Sequence, residues 1–240
     1  MALLASSLPP DVEQPLARWF QPQLLTAQAM AQGRRLLLGD GYLVLENFLI
    51  DTVAQRVWNF LDREVEFQEV ITIVYPHCRV DAKEWEATPA EDRLERTLST
   101  PRVLPDFRLT ENTAAFFGLR SALRSAETEA FLSELCGVEL RGDGEAVGYP
   151  RKMGDGDFIH EHDDEVRNRA LAMIIHLSRD WTSSSGGSLR INTTKGKTAE
   201  IDTGWNRAVL MLVDGQLRHA VTDVCGANSR YTIQNWFVRA

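Results

Sequence analysis

The chain has 240 residues, 34 of them acidic against 26 Lys and Arg, for a formal net charge of -8, and it lacks the basic stripe of a nucleic-acid-binding surface. No run of about eighteen apolar residues offers a membrane span, and "MALLASSLPPDVEQP" has no basic start of an export signal, so a soluble, cytoplasmic chain of one domain is expected, with neither membrane nor nucleic acid as partner. Cys78, Cys136 and Cys225 are odd in number and form no CxxC pair, which suits reduced, buried thiols better than a disulfide framework.

In chain order, residues 11–38 place Leu16, Trp19, Phe20, Leu24 and Leu25 at helical spacing, with Pro15 and Pro22 dividing the segment into two pieces. "GYLVLENFL" (41–49) reads as a strand after a Gly-Asp-Gly turn, and the amphipathic run from Asp51, a candidate N-cap, carries Val53, Val57, Phe60 and Leu61 on one face. "VITIVYPHCRV" is strand-like, whereas "DAKEWEATPAEDRLERTLSTPRVLP" is charged and proline-punctuated, so 70–110 reads as a variable cover or lid that sets selectivity. Residues 111–136 return to helix, with Ser125 as N-cap and Gly137 as stop.

After Gly137 the pattern changes to short β-type runs: "EAVGYPRKM", "RALAMIIHLS", "SLRIN", "RAVLMLVD", "RHAVTDV" and "RYTIQNWFV". Helices first and strands later predict a mainly β fold, a double-stranded β-helix (jelly roll, cupin-like) buttressed by helices, with 1–136 as helical support and cover and 137–240 as the β core.

Four of the five histidines, His160, His162, His176 and His219, lie in the β-rich half. A mononuclear Fe(II) site of the facial type needs two neutral imidazoles and one carboxylate, leaving other coordination positions open. In a strand, residues separated by one position point the same way, and His162 and Asp164 have that spacing, with His219 as the second histidine from a distant strand. Spacing alone also leaves Glu161 and Asp163 open. Arg230 opens "RYTIQNWF" and has the planar, permanently charged fork suited to a buried carboxylate.

These residues, with the Gly186-Gly187 turn after Trp181 and the segment "GDGYLVLENFL", make the chain resemble the Fe(II)- and 2-oxoglutarate-dependent dioxygenases of the prolyl 4-hydroxylase-like group, whose pattern is His-x-Asp, a long gap, His, then a basic residue. The similarity spans most of the chain and is weakest over 70–135. It implies His162, Asp164 and His219 as iron ligands, Arg230 as anchor of 2-oxoglutarate, and Fe(II), 2-oxoglutarate and O2 as the reaction's requirements. It also implies that His176 stands where such enzymes carry a co-substrate-binding Tyr, that Tyr149 or Arg151 stands in for another Tyr replaced by Met153, and that Trp236 packs beside the metal.

Taken alone, His162-x-Asp164 is more often an exposed acidic turn, and His219 and Arg230 are what lift it above that. His176 by itself is as much a satisfied core histidine as a cofactor contact. A cupin-type site of His160, His162, Glu165 and His219 is the rival metal reading, and a metal-free jelly roll for carbohydrate binding or assembly is a third. Asp155, Asp157, Glu161, Asp163, Asp164 and Glu165, without a Lys or Arg among them, suggest a field that favours a cationic substrate. His77 reads as structural. The expected reaction is hydroxylation of an unactivated C–H, with desaturation or cyclisation open to the same residues. A small molecule or amino acid is expected as substrate ahead of a protein residue.

Overall fold

Helix ends in the first half are written in local chemistry. Thr26 accepts a hydrogen bond from the Ala29 N–H (3.3 Å) at the start of α2 (Ala27–Asp40), which stops at Gly41 in the left-handed region (φ 81°). Ser125 likewise caps α6 (Ala126–Cys136), which ends at Gly137 (φ 73°), and a Thr110–Thr113 capping box opens α5 (Glu111–Leu123). In α3 (Asp51–Arg63) Asp51 is the first helical residue rather than the cap, its carboxylate near the positive end of the helix dipole. The computed structural model describes residues 9–100, 108–166, 168–193, 196–213, 215 and 217–240.

The segment expected as two helical pieces forms three: α1 (Pro10–Leu16), a short 3-10 turn (Pro22–Leu25) and α2, because Thr26 is extended and separates the last two. After β1 (Tyr42–Leu45) and α3 come β2 (Gln68–Ile73), β3 (Cys78–Arg79), α4 (Ala82–Ala87) and β4 (Arg93–Ser99). The lid expected over 70–110 therefore contributes β2, β3 and β4 to the sheet, with α4 between the last two. β4 pairs with β2, with β5 (Leu140–Met153) and with β6 (Phe158–His162), its alternating burial concealed in the sequence by charged residues. Residues 101–107 of that expected lid lie outside the described residues. β7 (Arg169–Leu177), β8 (Leu189–Thr193), β9 (Thr198–Ile201), β10 (Trp205–Leu212), β11 (Leu217–Val221) and β12 (Arg230–Arg239) complete the chain.

The sheet is one curled antiparallel ribbon in the order β1-β10-β7-β12-β5-β4-β6-β11-β8-β9, with β2 and β3 attached beside β4. β1 and β4 come from the first half, so the sheet draws strands from both sides of the 136/137 boundary. β7 shows why. Its run "RALAMIIHL" is buried on both faces, Leu171, Met173, Ile175 and Leu177 against the helices with Phe60, Phe116 and Phe131, and Ala172 and Ile174 inside the curl with Met153, Ile159, Leu189 and Val209. By the same alternation His176, fully buried, belongs to the inner face.

Candidate metal and co-substrate site

Within the curl, His162, Asp164 and His219 each offer one ligand atom, all within 4.8 Å of one another, and among the described residues no other group of three or more His, Cys, Asp and Glu does so. Both imidazoles turn Nε2 toward Asp164: His219 Nε2 lies 3.5 Å from Oδ2 and His162 Nε2 4.0 Å from Oδ1. His162 Nδ1–H donates to the His160 carbonyl (2.9 Å), which leaves Nε2 with its lone pair free for a metal. Burial, then the neighbouring His162, pushes the His219 imidazole down to about 4, so it is neutral at physiological pH. Two imidazoles and a carboxylate on one side suit Fe(II).

The device that brings them together is a register shift. β11 pairs His219 with His162 and Val221 with Ile159, so three steps on β6 face two on β11. This bulge turns His162 inward, whereas strict alternation would put it on the outer face with Phe158 and His160. His160 stays outside, stacked on Phe158 (4.4 Å) with Nδ1 donating to the Arg93 carbonyl (2.7 Å). Asp164 lies beyond the end of β6, so loop geometry rather than strand alternation orients it. Neither His160 nor Glu165 joins the converging group, and the cupin-type set is not assembled.

Farther inside is a second cluster of different character. Arg230 is 1 % exposed, its Nε donates to Thr203 Oγ1 (2.9 Å), its Nη1 meets the Met153 sulfur (3.4 Å), and Nη2 has no partner. Both nitrogens of His176 and the hydroxyl of Thr232, its register partner, are also buried without partners. Burial, then Arg151, pushes Arg230 down to about 9, still cationic at neutral pH, and burial holds His176 well below its ordinary range and therefore neutral. A buried cation without a carboxylate beside two idle hydrogen-bonding groups is costly unless an anion joins it. The cradle fits one carboxylate of a dicarboxylic co-substrate. Gly187 (φ 64°) belongs to it, since a Cβ there would meet Arg230 Cδ at 3.1 Å. Thr232 was missed in the sequence reading, and its position two residues after Arg230 on a strand was the available signal.

A cavity of about 160 Å³ opens beside the triad, with Trp236, Arg151, Glu95, Arg169 and Gln234 among its walls. Trp236 keeps an unpartnered Nε1–H and carries the Arg169 guanidinium on its ring at 4.6 Å. Tyr149 does not line this cavity, and its hydroxyl accepts from Arg79 Nη2 (3.1 Å). His77, read as structural, lies at the cavity wall. The acidic rim is matched: Arg218 pairs with Glu161 (3.1 Å) and Asp163 (3.4 Å), and Asn192 donates to Glu161. Arg218 thus offsets two of the six acids expected to focus a negative field. Among the described residues no helix is long and apolar enough to cross a membrane.

Residues 151–238 match the family model of the 2OG-Fe(II) oxygenase superfamily. The chain is 30% identical over 127 residues to prolyl 3-hydroxylase OGFOD1 of Mus musculus, covering 49% of this chain but 23% of that protein's length. Its fold is similar to a prolyl-4-hydroxylase of Pseudomonas putida (TM-score 0.57, 17% identity, 88% of this chain and 99% of that one). It is also similar to SnoN, a non-heme alpha ketoglutarate dependent epimerase from nogalamycin biosynthesis (TM-score 0.58, 9% identity, 89% and 83%). These likenesses show the double-stranded β-helix fold.

Proposed function

We propose that the chain, which matches the family model of the 2OG-Fe(II) oxygenase superfamily over residues 151–238, is a hydroxylase that couples oxidation of an unactivated C–H to conversion of 2-oxoglutarate into succinate and CO2. One observation carries this reading: His162, Asp164 and His219 converge beside a fully buried Arg230 that has no carboxylate of its own.

His162, Asp164 and His219 would hold Fe(II), and Arg230, with His176 and Thr232, would take the distal carboxylate of 2-oxoglutarate. Loaded in this way, the site supplies a two-electron oxidation of the substrate with O2 as oxidant, giving alcohol, succinate and CO2. The chain's own contributions are to fix and to exclude. The His162 Nδ1–H bond to the His160 carbonyl locks the ring that presents Nε2. His176, neutral and a hydrogen-bond donor through one nitrogen, serves a carboxylate without adding charge. Ile159, Ile174, Leu189 and Val221 line the cavity and keep water from the reacting carbon.

Trp236 takes a lesser part, closing the wall beside the triad. The cavity holds a metabolite, an amino acid or a single residue of a longer chain. The third is favoured by similarity to a prolyl 3-hydroxylase. Succinate release from 2-oxoglutarate with Fe(II), over a panel of metabolites and peptides and against Asp164→Ala, tests the reaction. Turnover that survives loss of Asp164, or iron binding that ignores it, overturns the assignment.

A further inference from the structure

Two neighbouring amides of β12 stand in the wall of the cavity, and the fold provides for them differently. Asn235 accepts from the Gly148 N–H (2.8 Å) and donates to the carbonyls of Met173 (3.1 Å) and Ile233 (3.2 Å), so its polarity is spent on the fold. Gln234, 7% exposed, has a buried Oε1 with no donor. Its register partners supply none, since Ile174 on β7 is apolar and Tyr149 on β5 turns its hydroxyl to Arg79 (3.1 Å). The same wall holds two buried donors without acceptors, Trp236 Nε1–H and Arg151 Nε–H, and neither reaches Gln234. Charges in the wall are matched within the protein. Glu95 takes Arg151 on one oxygen and Thr72 (3.0 Å) on the other, Arg169 pairs with Asp143 (2.9 Å), and Asp163 pairs with Arg218 (3.4 Å). One idle acceptor and two idle donors therefore remain beside the triad, and buried polar groups in that state mark a ligand's place.

We infer that Gln234 is a specificity-determining residue: its Oε1 accepts from an uncharged N–H or O–H of the substrate, whose adjoining oxygen accepts from Trp236 or Arg151. The substrate is then a small molecule with a neutral donor and an acceptor on one edge, as a lactam or a vicinal diol has. The inference rests on the hydroxylase reading above. An ammonium group would give up its water for a single neutral acceptor, because the carboxylates of Glu95 and Asp163 are already engaged. A prolyl residue inside a chain has no N–H and would leave Oε1 unsatisfied, so the inference parts this chain from the prolyl 3-hydroxylase to which it is similar. Arg230, Thr232, Gln234 and Trp236 alternate along β12, the last three opposite His176, Ile174 and Ala172 of β7. Gln234 thus lies between the co-substrate cradle and the wall beside the triad. A donor held on it keeps the adjoining C–H in the cavity shared with His162 and His219.

The test uses the full chain with Fe(II) and 2-oxoglutarate. Cyclic lactams and vicinal diols are paired with their fully N- or O-methylated counterparts, with binding read by calorimetry in the absence of O2 and turnover by succinate release. At least one donor-bearing probe should bind and raise succinate release above the substrate-free rate, its methylated counterpart being about tenfold or more weaker. Whether that probe is a lactam or a diol separates N–H from O–H. N-acetylproline dimethylamide, which has acceptors and no donor, should do neither. Gln234→Met keeps the length of the side chain and removes the acceptor, and should bring each pair to within about twofold. Without any probe, Gln234→Met should leave the melting temperature of the metal-free chain no lower, because it removes an unbonded buried oxygen. A methylated probe bound as tightly as its parent, a preference that survives Gln234→Met, or turnover of the blocked proline would each overturn the inference. So would the binding of no probe while substrate-free succinate release proceeds, or a melting temperature that Gln234→Met lowers by several degrees. Absence of both iron binding and substrate-free succinate release would instead overturn the hydroxylase reading beneath it.

Discussion

The acidic rim and the interior cluster of the same curl treat their charges in opposite ways. At the rim, Glu161 and Asp163 face water and satisfy one another's field through Arg218. Inside, Arg230, His176 and Thr232 are buried with bonds unmade. Folding alone would select against the second arrangement, because an unsatisfied buried polar group costs about 1–3 kcal/mol and a buried charge more. Idle polarity in a dry place, rather than density of charge, marks where a ligand belongs.

The sharpest way to break the comparison is to remove a triad ligand. His219→Ala or Asp164→Ala should abolish stoichiometric Fe(II) binding, read by metal analysis, and reduce succinate release to background. Next in size, Arg230→Met should raise the KM for 2-oxoglutarate about a hundredfold, corresponding to about 2.7 kcal/mol. The same variant should raise the melting temperature of the ligand-free protein, because it removes an uncompensated buried cation. A lower melting temperature would show that Arg230 is matched in a way that its two contacts do not suggest.

A smaller effect separates the two regions by pH. Burial depresses the folded-state pKa of His176, so as pH falls below about 6.5 the unfolded chain takes up a proton that the folded one refuses, and stability declines with acid. Above that pH the contribution is constant. His219 acts in the same direction down to about 4. His176→Phe should therefore flatten the acid limb of metal-free stability, measured by denaturant unfolding at a series of pH values, by about 1.4 kcal/mol per pH unit. An unchanged slope would place His176 in contact with water. Least of all, Glu161→Gln and Asp163→Asn should each shift stability by about 0–1 kcal/mol and leave the salt dependence of substrate KM unaltered. A KM that becomes salt-insensitive only in these variants would restore the field-focusing idea at the rim.

Much of the fold could be read in the residues. Caps at Thr26 and Ser125 and the stop at Gly137 are local chemistry, and they appear where the sequence placed two of the three. The apolar run of β7 and the β-type runs after Gly137 likewise carry their own pattern. β4 did not, because Arg93, Glu95 and Arg96 hide its buried alternation, and Glu95 is charged yet inward-facing for a reason that lies on β5. That His176 and Thr232 are left without partners was illegible for the same cause: which polar residues stay unpaired depends on neighbours far away in the chain.

By itself the sequence determined the chemical inventory, two histidines and an aspartate with an arginine beyond them, and the local signals that make helices and strands of their surroundings. Only the tertiary structure decided which members of "FIHEHDDEV" converge with His219. The physical reason is the bulge between β6 and β11, where one extra residue reverses the face of His162 and leaves His160 outside. Register is a property of two strands, and neither strand's sequence contains it alone.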